Sequence, residues 1–85
     1  MNWQVRVAKR VQRALARMPA DDQRRLLAAL EEMRSNPFSG DIAHLRNQAA
    51  TWRRRVGSYR NFYDVYPEQR VVDVVEVVRR TSTTY

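Results

Sequence analysis

The chain has 85 residues, with 16 lysines and arginines against 9 acidic residues and a net charge of +7. That length suits one domain, spanning residues 1–85, with a two-layer core that buries roughly 60–65% of its unfolded surface. The absence of cysteine rules out disulfides and thiol catalysis, and a single histidine, His44, leaves a zinc site without its usual ligands, so neither metal nor cofactor is expected. The basic surplus calls for an acidic partner, nucleic acid or an acidic protein segment.

Trp3, Val5 and Val7 alternate with Gln4 and Arg6 at the two-residue period of a half-buried strand, so the chain opens on a β-strand. From Ala8 the period changes. Val7, Val11, Leu15 and Met18 fall on one helical stripe while Lys9, Arg10, Arg13 and Arg17 take the solvent side. Pro19 breaks this first helix. Ala20-Asp21-Asp22 then supplies a capping residue and acidic charge at the positive end of a second helix, with Leu26, Leu27, Leu30 and Met33 facing inward. The two helices form a hairpin.

Asn36-Pro37-Phe38-Ser39-Gly40-Asp41 stops the second helix, and Ile42 to Ala50 reads as a connecting stretch that Leu45 anchors to the core. Three strands follow, Thr51–Val56, Tyr59–Tyr66 and Arg70–Val78, joined by Gly57-Ser58 and Pro67-Glu68-Gln69 as a β-meander. Val71, Val72, Val74, Val75, Val77 and Val78 are apolar on both parities, which suits a central strand covered on both faces or nearly so. The order β-α-α-β-β-β gives an α+β fold, a helical hairpin packed on one face of a mostly antiparallel four-stranded sheet.

The sequence holds no Gly-rich phosphate loop, no Ser-His-Asp set and no carboxylate pair outside ordinary helix and turn positions. His44 reads as a surface or packing residue. Arg53 and Arg55 share one side of their strand, and Arg60 joins them across the hairpin, making a cationic face suited to polyphosphate. Arg54 points the other way, beside Trp52 and Val56, and needs an acidic partner or an outward-reaching stem. The tail adds Arg79, Arg80 and Tyr85. The aromatic residues Tyr59, Phe62, Tyr63 and Tyr66 read as core packing. With no apolar run of eighteen residues, no membrane segment is expected and the protein is read as cytoplasmic.

In their order, the segments RVAKRVQRALARMP, NPFSGD, WRRRVGSYRNFYDVY and VVRRTSTTY resemble the RelE/ParE toxins of type II toxin–antitoxin modules, over almost the whole chain. The resemblance is closer to the RelE branch, whose members cut messenger RNA on the ribosome. It implies a RelE-like fold and an endoribonuclease site made of Arg53, Arg55 and Arg60, which bind RNA, with Arg79 or Arg80 and Tyr85 completing the catalytic set. The same resemblance implies a cognate antitoxin with an acidic, amphipathic segment, contact with operator DNA only through the antitoxin complex, and two other outcomes: a gyrase-inhibiting toxin of the ParE kind, or an inactive homologue. Arginines on the second strand stand where relatives often carry lysine, and a guanidinium is a poor general base.

Overall fold

The computed structural model describes residues 3–46 and 50–79. They form β1 (Gln4–Val7), α1 (Lys9–Ala16), α2 (Ala20–Met33), β2 (Asp41–His44), β3 (Trp52–Val56), β4 (Tyr59–Tyr66) and β5 (Val71–Arg79). The strands make one sheet in the order β1-β5-β4-β3-β2, with β1 and β5 parallel and the other pairs antiparallel. The α+β arrangement, with both helices on one face, agrees with the sequence. The strand count does not, because Asp41–His44 adds a fifth strand on the β3 edge. Its Ile42 and Ala43 are adjacent and do not alternate with polar residues, so no strand signal shows in the sequence; pairing with β3 creates it.

The core lies between the helices and one face of the sheet. Val11 and Leu15 of α1 and Leu26, Leu30 and Met33 of α2 pack on Tyr63, Val72 and Val74. Each such aliphatic side chain contributes on the order of 1.5–3 kcal/mol by leaving water. Leu27, expected inward, is 48% exposed, and Ala29 takes the buried position instead. The start of α2 also differs from expectation. Pro19 is its N-cap and no side chain caps it, although Asp21 and Asp22 still place negative charge in the first turn. Gln23 Nε2 donates to Leu15 O at 2.9 Å and ties the two helices together.

β5 sits between β1 and β4, but it is covered on both faces only in its first half. Val71, Val72 and Val74 are buried, whereas Val78 is 40% exposed. A bulge opposite Phe62 and Tyr63 leaves Val75 as the extra residue, and β1 pairs no further than Val74. No helix among the described residues is long and apolar enough to cross a membrane.

Arg54 occupies the helix-facing side of β3 and is buried. Its Nη2 donates to Glu32 Oε1 at 2.6 Å and Nη1 to Ala29 O at 3.4 Å, so the acidic partner anticipated for it is present. Gly40, at φ +82°, closes over this guanidinium, and a Cβ built there would stand 2.5 Å from Arg54 Nε. Both the backbone and the space therefore require glycine. Gly40→Ala is expected to cost about 2 kcal/mol in urea unfolding, and the loss should shrink when Arg54 is also replaced by methionine.

Candidate nucleic-acid interface

The hairpin of β3 and β4 sets the site. Gly57, at φ +57°, occupies the first central position of the two-residue turn, as a type II′ hairpin demands. This turn fixes a register that pairs Arg55 with Arg60 and Arg53 with Phe62. Cross-strand partners share a face, so these four side chains stand together on the side of the sheet away from the helices. Arg54 and Asn61 pair on the opposite side, where both are buried.

Leu45, Arg53, Arg55, Arg60 and Phe62 line an open cavity of about 380 Å³. Three guanidinium groups around one hollow repel each other, and the direct Arg55–Arg60 opposition is unfavourable for the hairpin. Asp41 relieves part of this from β2, where it pairs with Arg55 at a separation of 3.9 Å. Arg53 and Arg60 have no carboxylate partner among the described residues. An anion in the hollow would supply the missing counter-charge. Arginine forks match phosphate oxygens in pairs, which suits such a ligand.

A second cavity on the same face, of about 310 Å³, is lined by Arg6, Tyr66, Gln69, Val71 and Asp73. There Arg6 donates to both carboxylate oxygens of Asp73, at 2.6 and 3.0 Å, so that hollow carries no uncompensated cation. The hydrogen bonds and charge of Asp73 push the Arg6 pKa up. The arginine hollow is therefore the cationic one.

Of the residues singled out from sequence, Arg53, Arg55 and Arg60 share this cavity. Arg79 does not. It pairs with Tyr59, whose hydroxyl donates to Asp22 Oδ2 at 3.3 Å on the helix side. Burial first, and then Asp22, push the Tyr59 phenol up, with Arg79 opposing. Arg80 and Tyr85 lie outside the described residues. His44 is exposed and stands edge-on to Trp52, with ring centroids 4.8 Å apart, away from the hollow.

Phe62 and Leu45 were not anticipated in the site. Phe62 lies two residues beyond Arg60, so its parity alone carried the signal, but the grouping of four aromatic residues suggested core. Tyr59 and Tyr63 do belong to the core, and Tyr63 Oη donates to Pro37 O at 2.9 Å. Burial pushes the Tyr63 phenol up to about 12, keeping it neutral. Leu45, expected to anchor the connecting stretch to the core, lines the hollow instead. Glu76, opposite Phe62 on β5, is held by Arg10 at 2.7 Å and borders the site without lining it.

Residues 3–83 match the family model of the ParE toxin of the parDE type II toxin–antitoxin system. The chain belongs to this toxin family. It is also 26% identical over 83 residues to a Methanocaldococcus jannaschii protein named as a toxin RelE1, covering 94% of the chain and 92% of that relative. Among solved structures, the archaeal RelE–RelB complex from Pyrococcus horikoshii superposes with a TM-score of 0.84 at 25% identity, covering 98% of this chain and 100% of the other. The RelBE2 toxin–antitoxin complex from Mycobacterium tuberculosis gives a TM-score of 0.80 at 23% identity, covering 94% and 100%. Family model and relatives thus agree on a RelE/ParE superfamily toxin, with the α+β fold described above.

Proposed function

We propose that this toxin is an endoribonuclease that cuts messenger RNA, on the ribosome, and so stops translation. The observation that carries the reading is the single hollow shared by Arg53, Arg55, Arg60 and Phe62. In the reaction the ribose 2′-oxygen attacks the adjacent phosphorus, the 5′-oxygen leaves, and the products are a 2′,3′-cyclic phosphate and a 5′-hydroxyl. The proton lost from the 2′-hydroxyl is matched by one gained at the leaving oxygen. Negative charge gathers on the non-bridging oxygens as the phosphorus becomes five-coordinate, and fixed guanidinium forks lower the barrier by meeting it there.

Arg55 and Arg60, directly opposed across the hairpin, take the phosphate oxygens in this scheme. Arg53 holds the neighbouring phosphate. Phe62 offers its ring to a base, a contact worth roughly 1–3 kcal/mol in single-strand binding. The pairing of Arg79 with Tyr59 on the helix side favours Arg80 over Arg79 as the tail arginine of this scheme, stabilising the leaving oxygen while Tyr85 orients the nucleotide. Phe62→Leu, which keeps apolar volume and removes the ring, is expected to raise KM about five- to tenfold at nearly constant kcat, that range being on the order of one stacking contact. Steady-state cleavage of a short message reads this directly.

The RelE–RelB and RelBE complexes among the structural relatives support an antitoxin partner for this chain, with an acidic, amphipathic segment covering the basic hollow. Contact with operator DNA would run through that complex. Both the partner and the ribosome imply a cytoplasmic site of action. The ParE family model favours a second reading, inhibition of DNA gyrase without nuclease activity. Adding the purified chain to a translating extract and, separately, to a gyrase supercoiling reaction separates the two. Shortened messages bearing cyclic phosphate ends support the nuclease. Intact messages beside blocked supercoiling support the gyrase reading.

A further inference from the structure

A second group of cations lies on the opposite layer of the molecule. Lys9, Arg13 and Arg17 are all exposed and recur every four residues along α1 and its C-cap. At 1.5 Å rise per residue they form a row with steps of about 6 Å, comparable with the separation of successive phosphates along a nucleic-acid strand. None of the three has a carboxylate partner among the described residues. The nearby acids are already engaged: Glu76 by Arg10, Asp21 by Arg24 and Asp22 by the Tyr59 hydroxyl.

Lys9, at the head of the row, also sits where helix stability alone would not put it, whereas Arg13 and Arg17 lie at the C-terminal end that favours cations. The first turn of α1 has no acidic residue and Ala8 provides no side-chain cap, yet Lys9 and Arg10 stand at the positive end of the helix dipole. Local choices that oppose the local structure are a mark of function. The solvent side of α1, Lys9, Arg10, Gln12, Arg13, Ala16 and Arg17, contains no large apolar side chain. A protein partner needs apolar anchors at the centre of its interface, whereas a sugar–phosphate backbone needs charge and polar contacts.

We infer that the Lys9–Arg13–Arg17 ridge is a docking surface for the phosphate backbone of a nucleic-acid duplex, separate from the arginine hollow. It stands whether or not the hollow cuts RNA, because the two surfaces lie on opposite layers. The ridge holds a structured duplex while the other face remains free for a single strand. Its binding is sequence-independent and falls steeply with salt.

The full-length chain and its Lys9→Gln/Arg13→Gln/Arg17→Gln variant should be titrated with an RNA duplex of about 20 base pairs and the DNA duplex of the same sequence, over roughly 50 to 200 mM salt. The variant is expected to lose about tenfold or more in affinity and to show a log–log salt slope shallower by about two to three. Equal loss for both duplexes assigns the ridge to phosphate generally, and a larger loss for one identifies its source. Cleavage of a short single strand should be unchanged, which keeps this result independent of the nuclease reading. Wild-type affinity in the variant, or a loss confined to binding of polyglutamate, overturns the inference. Because all three positions are exposed, the urea midpoint should hold; the three single variants, each with a slope change of about one, test the same point if it does not.

Discussion

Arg60→Ala will slow message cleavage about a hundredfold or more while leaving the fold intact, since a single preorganised donor to developing charge is worth roughly 10²–10³ in kcat. Arg60 faces Arg55 directly and has no carboxylate partner among the described residues, so its removal relieves repulsion instead of breaking an ion pair. The urea midpoint should stay constant or rise slightly. Arg60→Lys keeps the charge but loses the fork, and an intermediate loss of about tenfold follows from that difference. Single-turnover cleavage of a defined message, with unfolding measured on the same preparations, separates an active-site effect from a folding defect. Equal rates for the wild-type and Arg60→Ala proteins would remove the hollow from the mechanism.

The second large effect concerns Arg54, which looks like part of the basic cluster and belongs to the core. Glu32→Ala is expected to destabilise the chain by about 2–3 kcal/mol, because it leaves the buried guanidinium with only the long contact to Ala29 O. This loss falls below the full range for buried pairs because the Glu32 side chain is 59% exposed and water can replace part of it. Arg54→Met removes the charge together with its need for a partner and fills similar volume. It should cost less than Glu32→Ala. Urea unfolding of the two variants side by side decides this. Neither should change which bond is cut, because Arg54 faces the helices and not the hollow.

Most of the fold was legible because the periodicities were long enough to read. The stripe of Val11, Leu15 and Met18, the run from Leu26 to Met33 and the three strands after Thr51 each repeat their pattern at least twice, and the structure follows them. Asp41–His44 escaped because its two apolar residues, Ile42 and Ala43, are adjacent and show none of the alternation that marked β1, and the strand exists through its pairing with β3. Leu27 was misread for a related reason: on a half-buried helix two adjacent leucines cannot both face the sheet, and Ala29 fits closer to it.

The site was legible to the extent that it depends on parity. Arg53, Arg55 and Arg60 meet as the hairpin required, and Arg54 finds the carboxylate that its burial demanded. Phe62 obeyed the same parity but was hidden beside Tyr59 and Tyr63, which do pack inward; Tyr66, also expected in the core, is exposed instead. Leu45 lines the hollow and Asp41 faces Arg55 beside it through β2 and the chain that follows, placements that depend on the fifth strand. The position of Arg79 opposite Tyr59 came from the register of β5 against β4, which no count along the sequence supplies, and Arg80 lies outside the described residues.

The most direct test is to bind a 2′-O-methyl trinucleotide, which cannot be cleaved, and follow the side-chain Nε–Hε signals of the arginines and the Phe62 ring by NMR. Shifts concentrated on Arg53, Arg55, Arg60 and Phe62, with Arg54 and Arg6 unmoved, are the predicted outcome. Shifts spread over both faces of the sheet, or absent from these four residues, would contradict a phosphate-binding hollow.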